Sequence, residues 1–171
     1  MTPAQIHVLF SQLCDLIASL HAAGIVHHDL RPQVLMVDEA NRVKLIDMGL
    51  ASQDQQPDPI TIAGLGPQGE MMFLAPEQIQ SRRGDPRSDI YGLGILLFFV
   101  FTGRLPFTAK HRSHQEWLRI KAEDPVIDGV EEKLPDEVGR IIKRAMAFDP
   151  DKRYQWVEDF MEELKEVDYL V

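Results

Sequence analysis

Ile6, Leu9, Phe10, Leu13, Leu16, Ile17 and Leu20 recur at spacings of three and four, an apolar stripe that predicts one long amphipathic helix. Thr2-Pro3 supplies its start, a hydroxyl cap followed by proline at the first helical position, and Gly24 supplies its stop. The period then changes. After Ile25-Val26 and the turn His27-His28-Asp29, Pro32 forbids a helix. Residues 34–37 and 43–46 read as the two strands of a hairpin closed by Asp38-Glu39-Ala40-Asn41-Arg42. Asp47 ends the second strand, with Gly49 giving backbone freedom just after it. Two apolar runs thus each deliver an aspartate, Asp29 or Asp47, at a sharp turn, a layout suited to chemistry on a charged group.

The stretch from Ser52 to Gly69 has no period and is rich in Gln, Asp, Pro and Gly, which predicts a long irregular loop of functional kind. Phe73-Leu74-Ala75-Pro76-Glu77 closes it and opens a short helix. Ser88-Asp89 reads as the cap of an apolar helix from Ile90 to Thr102, stopped at Gly103. Helices at about Ser113 to Ala122, Pro135 to Phe148 and Gln155 to Glu166 complete the pattern, with Asp149-Pro150-Asp151 as the turn before the last. The fold class is therefore mainly α, α+β overall: a helical body with one small β-hairpin. The longest apolar run, Ile90 to Phe101, falls short of the roughly 20 residues that cross a bilayer, so no membrane association is expected.

Composition narrows the reading. With 171 residues, 44% of them apolar and 26% charged, the chain fits one soluble domain over residues 1–171. A net charge of −9 argues against nucleic acid as a partner, because that binding needs a cationic face. The first residues lack a signal-peptide pattern and the single Cys14 fits a reducing compartment, so a cytoplasmic location is expected. Cys14 lies on the apolar stripe and is read as a core thiol. His21, His27, His28, Asp29 and Cys14 match no zinc-site spacing. Arg82-Arg83 and Arg87, the one basic cluster, read as a surface loop.

Taken in order, these elements resemble the C-terminal lobe of a eukaryotic-type serine/threonine protein kinase. His27-His28-Asp29-Leu30-Arg31-Pro32 resembles the catalytic loop, over residues 27–35. Asp47-Met48-Gly49 resembles the metal-binding element, and Ala75-Pro76-Glu77 the end of an activation segment over residues 47–77. Asp89-Ile90-Tyr91-Gly92-Leu93-Gly94, Gly103-Arg104-Leu105-Pro106-Phe107 and Phe148 to Tyr154 resemble the later elements of that lobe. The resemblance implies that Asp29 takes the proton of a substrate hydroxyl. It implies that Arg31, where the family usually has lysine, neutralises the transferred phosphoryl group, and that Asp47 binds magnesium, with Mg-ATP as cofactor and a protein as substrate. Among structural residues it implies a buried Glu77–Arg153 ion pair, Asp89 accepting hydrogen bonds from the catalytic-loop backbone, and His27 packing the turn against the apolar body.

The pattern departs from the family at residues that matter. Val34 stands five positions after Asp29, where the family places asparagine as a second metal ligand, and valine has no lone pair to offer. His28 replaces the arginine that clamps a phosphorylated activation loop through a bidentate fork. Between Asp47 and Glu77 only Ser52 and Thr61 carry hydroxyls, and Glu70 replaces the threonine expected after Gly69. A glycine-rich phosphate loop and a lysine-bearing strand do not occur ahead of the first helix, so the small lobe that covers ATP is expected to be absent. The expectation is a truncated serine/threonine kinase-like domain, impaired by itself, acting as a pseudokinase or binding module with a protein partner or the missing lobe, and with weak nucleotide binding alone. The alternatives are the C-terminal part of an active serine/threonine kinase and a kinase-like small-molecule phosphotransferase.

Overall fold

The computed structural model describes residues 1–107, 113–123 and 134–167. Helix α1, Pro3–Ala22, starts on a reciprocal cap: the Gln5 amide donates to Thr2 Oγ1 at 3.3 Å, and the Thr2 amide donates to Gln5 Oε1 at 2.8 Å. Its stripe buries Ile6, Phe10, Leu13, Cys14 and Ile17. Burial pushes the Cys14 thiol well up, so it is an inert core group, as expected.

Strand β1, Ile25–Val26, follows, then a short helical turn at Pro32–Val34. This turn corrects the reading that Pro32 forbids a helix and that the strand includes Val34: proline at the first helical position lacks only an amide that the turn does not need. Strands β2, Leu35–Val37, and β3, Val43–Leu45, form the expected hairpin, with Leu35 opposite Leu45 and Val37 opposite Val43. Asp38 fixes the turn by accepting from the Ala40 and Arg42 amides, both at 3.0 Å.

The segment read as an irregular loop is partly ordered. Strand β4, Ser52–Gln53, pairs antiparallel with β1, Val26 facing Ser52. Helix α2, Pro59–Ile62, is capped by Asp58. Both are too short to leave a period in the sequence, and β4 exists because β1 supplies the other half of its ladder.

Helices α3, Pro76–Ile79, and α4, Arg87–Thr102, carry the centre of the core. Helix α4 begins one residue before Ser88, after Pro86, so the expected Ser88-Asp89 cap is corrected. Asp89 lies in the first turn, and its carboxylate is spent on another part of the chain. Helices α5, His114–Ala122, α6, Asp136–Ala145, and α7, Val157–Lys165, pack around this centre, α7 on α1 and α6 on α4. The α4–α6 crossing requires Gly94, where a Cβ would sit 2.7 Å from the Met146 side chain and 3.0 Å from Ala145 Cβ. Phe10 of α1 meets Phe160 of α7 at 6.5 Å between ring centroids, and Phe160 stands edge-on to Tyr154 at 5.5 Å. Among the described residues no helix is long and apolar enough to cross a membrane.

Candidate active site

The turn between β1 and β2 holds Asp29, and the core grips that turn from behind. Asp89 accepts from the His27 amide at 2.9 Å and the His28 amide at 2.8 Å, and pairs with His21 Nε2 at 2.9 Å. Burial alone would raise the Asp89 carboxyl, but the His21 and amide hydrogen bonds win and hold it below its ordinary value. Gln78 Nε2 donates to the His28 carbonyl at 2.8 Å, tying α3 to the same turn. His27 is buried, and its Nδ1 accepts from the Asp29 amide at 3.2 Å.

Asp29 is only 7% exposed. Its Oδ2 accepts from Arg31 Nε at 2.9 Å, while Oδ1 is buried without a hydrogen-bond partner among the described residues. Gly69 lies over that oxygen with φ +107°, and a Cβ there would stand 3.4 Å from it. Arg31 reaches on through Nη1 to Glu70 Oε1 at 3.4 Å. Its guanidinium is held above its ordinary pKa, first by the hydrogen bond to Asp29 and further by the Glu70 and Asp47 charges. Arg31 is thus shared among carboxylates.

Asp47 stands exposed just past β3, its Oδ1 accepting from the Gly49 amide at 2.8 Å. Val34 is 1% exposed, so the position expected to carry a second metal ligand is filled by an apolar core side chain. Among the described residues no group of three or more His, Cys, Asp or Glu is placed to hold a metal ion. Asp47 is an exposed carboxylate whose hard oxygens suit a cation such as magnesium, while Val34 offers no lone pair for a second ligand.

His28, with φ +68°, sets its ring against Ser52 and Gly84. Nε2 lies 2.8 Å from Ser52 Oγ and accepts from the Gly84 amide at 3.2 Å. Burial pushes this imidazole down to about 4, so at neutral pH it is an uncharged acceptor rather than an anion clamp. Ser52 is consequently engaged, as is Thr61, whose hydroxyl donates to Asp58 Oδ2 at 2.6 Å.

The basic cluster read as a surface loop is corrected at Arg83. Its Nε donates to Asp58 Oδ2 at 2.8 Å and its Nη2 to the Leu50 carbonyl, fastening both ends of residues 50–58. Arg87 instead pairs with Asp85 at 2.8 Å and Asp151 at 2.7 Å. Sequence reasoning missed the Arg83–Asp58 and His28–Ser52 contacts because the partners lie 25 and 24 positions apart with no shared period. Arg83→Ala is expected to speed thermolysin cleavage at Ile60–Leu65 about tenfold, the loss of one charge-assisted contact in a locally opening segment. Unchanged cleavage would show that the segment is held elsewhere.

The Glu77–Arg153 pair joins α3 to the turn before α7 through two contacts, Nη1 to Oε1 at 2.7 Å and Nη2 to Oε2 at 2.8 Å. Ser88 Oγ adds a bond to Glu77 Oε1 at 2.7 Å.

A family described as protein kinase domain matches residues 1–170, and the chain belongs to that family. It is 32% identical over 158 residues to the serine/threonine-protein kinase PrkC of Bacillus subtilis, an alignment covering 92% of this chain and 24% of PrkC. It is 30% identical over 154 residues to the serine/threonine-protein kinase PknL of Mycobacterium tuberculosis, covering 90% of the chain and 38% of PknL. For PknB of the same organism the figures are 29% over 168 residues, 98% and 27%. The chain therefore spans well under half the length of these relatives.

Proposed function

We propose that these residues form the C-terminal lobe of a serine/threonine kinase-like domain whose own capacity for phosphoryl transfer is impaired, and which acts through a protein partner. In this reading Asp29 is the group facing a substrate hydroxyl, supported by its buried Oδ1, which has no hydrogen-bond partner among the described residues. Asp47 is the single carboxylate for the cation, and bound Mg-ATP would bring the transferable phosphoryl group with the charge that balances it. His27, Asp89, Glu77 and Arg153 hold the frame.

The observation that carries the impairment is the Asp29–Arg31–Glu70 chain of contacts, at 2.9 Å and 3.4 Å. An arginine meant for a phosphoryl group is already neutralised by two carboxylates. The second of them lies on the segment that covers Asp29, where it repels an incoming phosphate. Val34 adds to the deficit by packing apolar carbon where a ligand oxygen is needed.

Incubating the 171-residue chain with Mg-ATP labelled at the γ-position and a generic protein substrate is expected to give no transfer above background. Transfer that disappears in Asp29→Asn would overturn the proposal. The kinase relatives favour a second reading, in which the same lobe is the C-terminal part of a longer serine/threonine kinase. The coding region upstream of Met1 decides between the two: a glycine-rich strand pair and a lysine-bearing strand there support the second reading, and an unrelated domain removes it.

A further inference from the structure

Lys121, on α5, is 2% exposed, rare for lysine, and among the described residues no carboxylate forms an ion pair with it. Its ammonium sits in a cage of three rings, 4.5 Å from the Phe107 centroid, 5.0 Å from Tyr91 and 5.7 Å from Trp117. Within the cage Nζ donates to the Met72 carbonyl at 3.1 Å and to the Tyr91 hydroxyl at 3.4 Å. A methionine or leucine would fill this space without the desolvation cost of a charge, so the hydrogen bond to Met72 is what distinguishes lysine here.

Met72 belongs to a tight turn in which the Phe73 and Leu74 amides donate to the Glu70 carbonyl at 2.9 Å and 3.3 Å. One end of the turn brings Gly69 over Asp29 and Glu70 onto Arg31, and the other runs into α3. We propose that Lys121 is a positioning residue: from α5 it anchors the 69–74 turn, and so sets how closely that turn covers Asp29. The inference rests on the reading of Asp29 as the reacting group of the site.

The anchor is sensitive to pH. Among the described residues the groups around the ammonium are the Met72 carbonyl from the turn, Tyr91 from α4, and the Glu77 and Arg153 charges beyond them. Burial lowers the Lys121 pKa to about 7, Glu77 opposing and Arg153 adding to the shift. Burial pushes the Tyr91 hydroxyl up, so it stays protonated. As pH rises through about 7 the ammonium becomes a neutral amine, which still donates to the Met72 carbonyl but more weakly, and the turn loosens. Over the same rise, up to the ordinary lysine value near 10.5, the unfolded chain holds a proton that the folded chain has released, so global stability increases. Local and global responses therefore have opposite signs.

Hydrogen exchange on the 171-residue chain tests this without any enzymatic assay, so its outcome is independent of whether Asp29 reacts. After correction for intrinsic rates, protection of the Phe73 and Leu74 amides is expected to fall about tenfold between about pH 6 and about pH 8.5, while the thermal midpoint rises. In Lys121→Met protection is expected to be low at both pH values, with a midpoint at the lower pH no lower than that of the parent chain. Protection retained at the lower pH in Lys121→Met would overturn the proposal, and Lys121→Leu is read in the same way should Lys121→Met fail to fold.

Discussion

Glu77→Ala is expected to cost about 3–5 kcal/mol of folding stability, because it strands a guanidinium that the fold has taken out of water. The Arg153 side chain is 0% exposed. Its remaining acceptors are the carbonyls of Ala147, Arg87 and Phe148, which satisfy donors but do not balance the charge. A cost of that size is a large share of the stability of an ordinary domain. Urea unfolding reads it as a fall in midpoint, and Arg153→Met is expected to fall similarly. The double variant Glu77→Leu with Arg153→Met should be less unstable than the sum, since it removes both charges together. Additive losses would show that the two side chains act independently.

Asp89→Ala is the second large effect, expected at about 3–5 kcal/mol, and it strikes the site more directly. It leaves the buried His27 and His28 amides without their acceptor and removes the partner of His21. The same carboxylate gives the fold an acid limit. Its folded pKa is depressed below the ordinary value of 3.8, so the stability it contributes is complete above that value and is lost as pH falls through the folded one. Equilibrium unfolding followed below about pH 4 should show a loss in the parent chain that Asp89→Asn lacks. Parallel acid curves would assign the loss to other carboxylates.

Much of this architecture is legible in the sequence, and the reason is physical. The stripe of α1 and the apolar run of α4 have periods long enough to see, and the hairpin is bounded by Pro32 and a polar turn. Asp29 and Asp47 are identifiable because each ends a strand-like run. What the sequence hides is pairing at a distance. Strand β4 has two residues and exists only against β1. Asp89, in the first turn of a helix, looks like a cap from its local pattern. It is the family resemblance, not the periodicity, that implies its bonds to the catalytic-loop backbone, which the structure places on the His27 and His28 amides. Lys121 appears as one more charge on an amphipathic helix, and nothing local reveals three aromatic rings converging on it. Glu70 was readable as an anomaly beside Gly69, but its reach to Arg31 was not.

The fastening of residues 50–58 carries one more consequence. Asp58 brings to Arg83 a negative charge that is written into the gene, and Ser52 meets a neutral histidine rather than a cationic pocket. A phosphate in such a place can be added and erased, and the segment then follows the balance of modifying and demodifying enzymes. A carboxylate cannot be erased. The contacts that order this segment are made by groups of the chain itself and need no added phosphate.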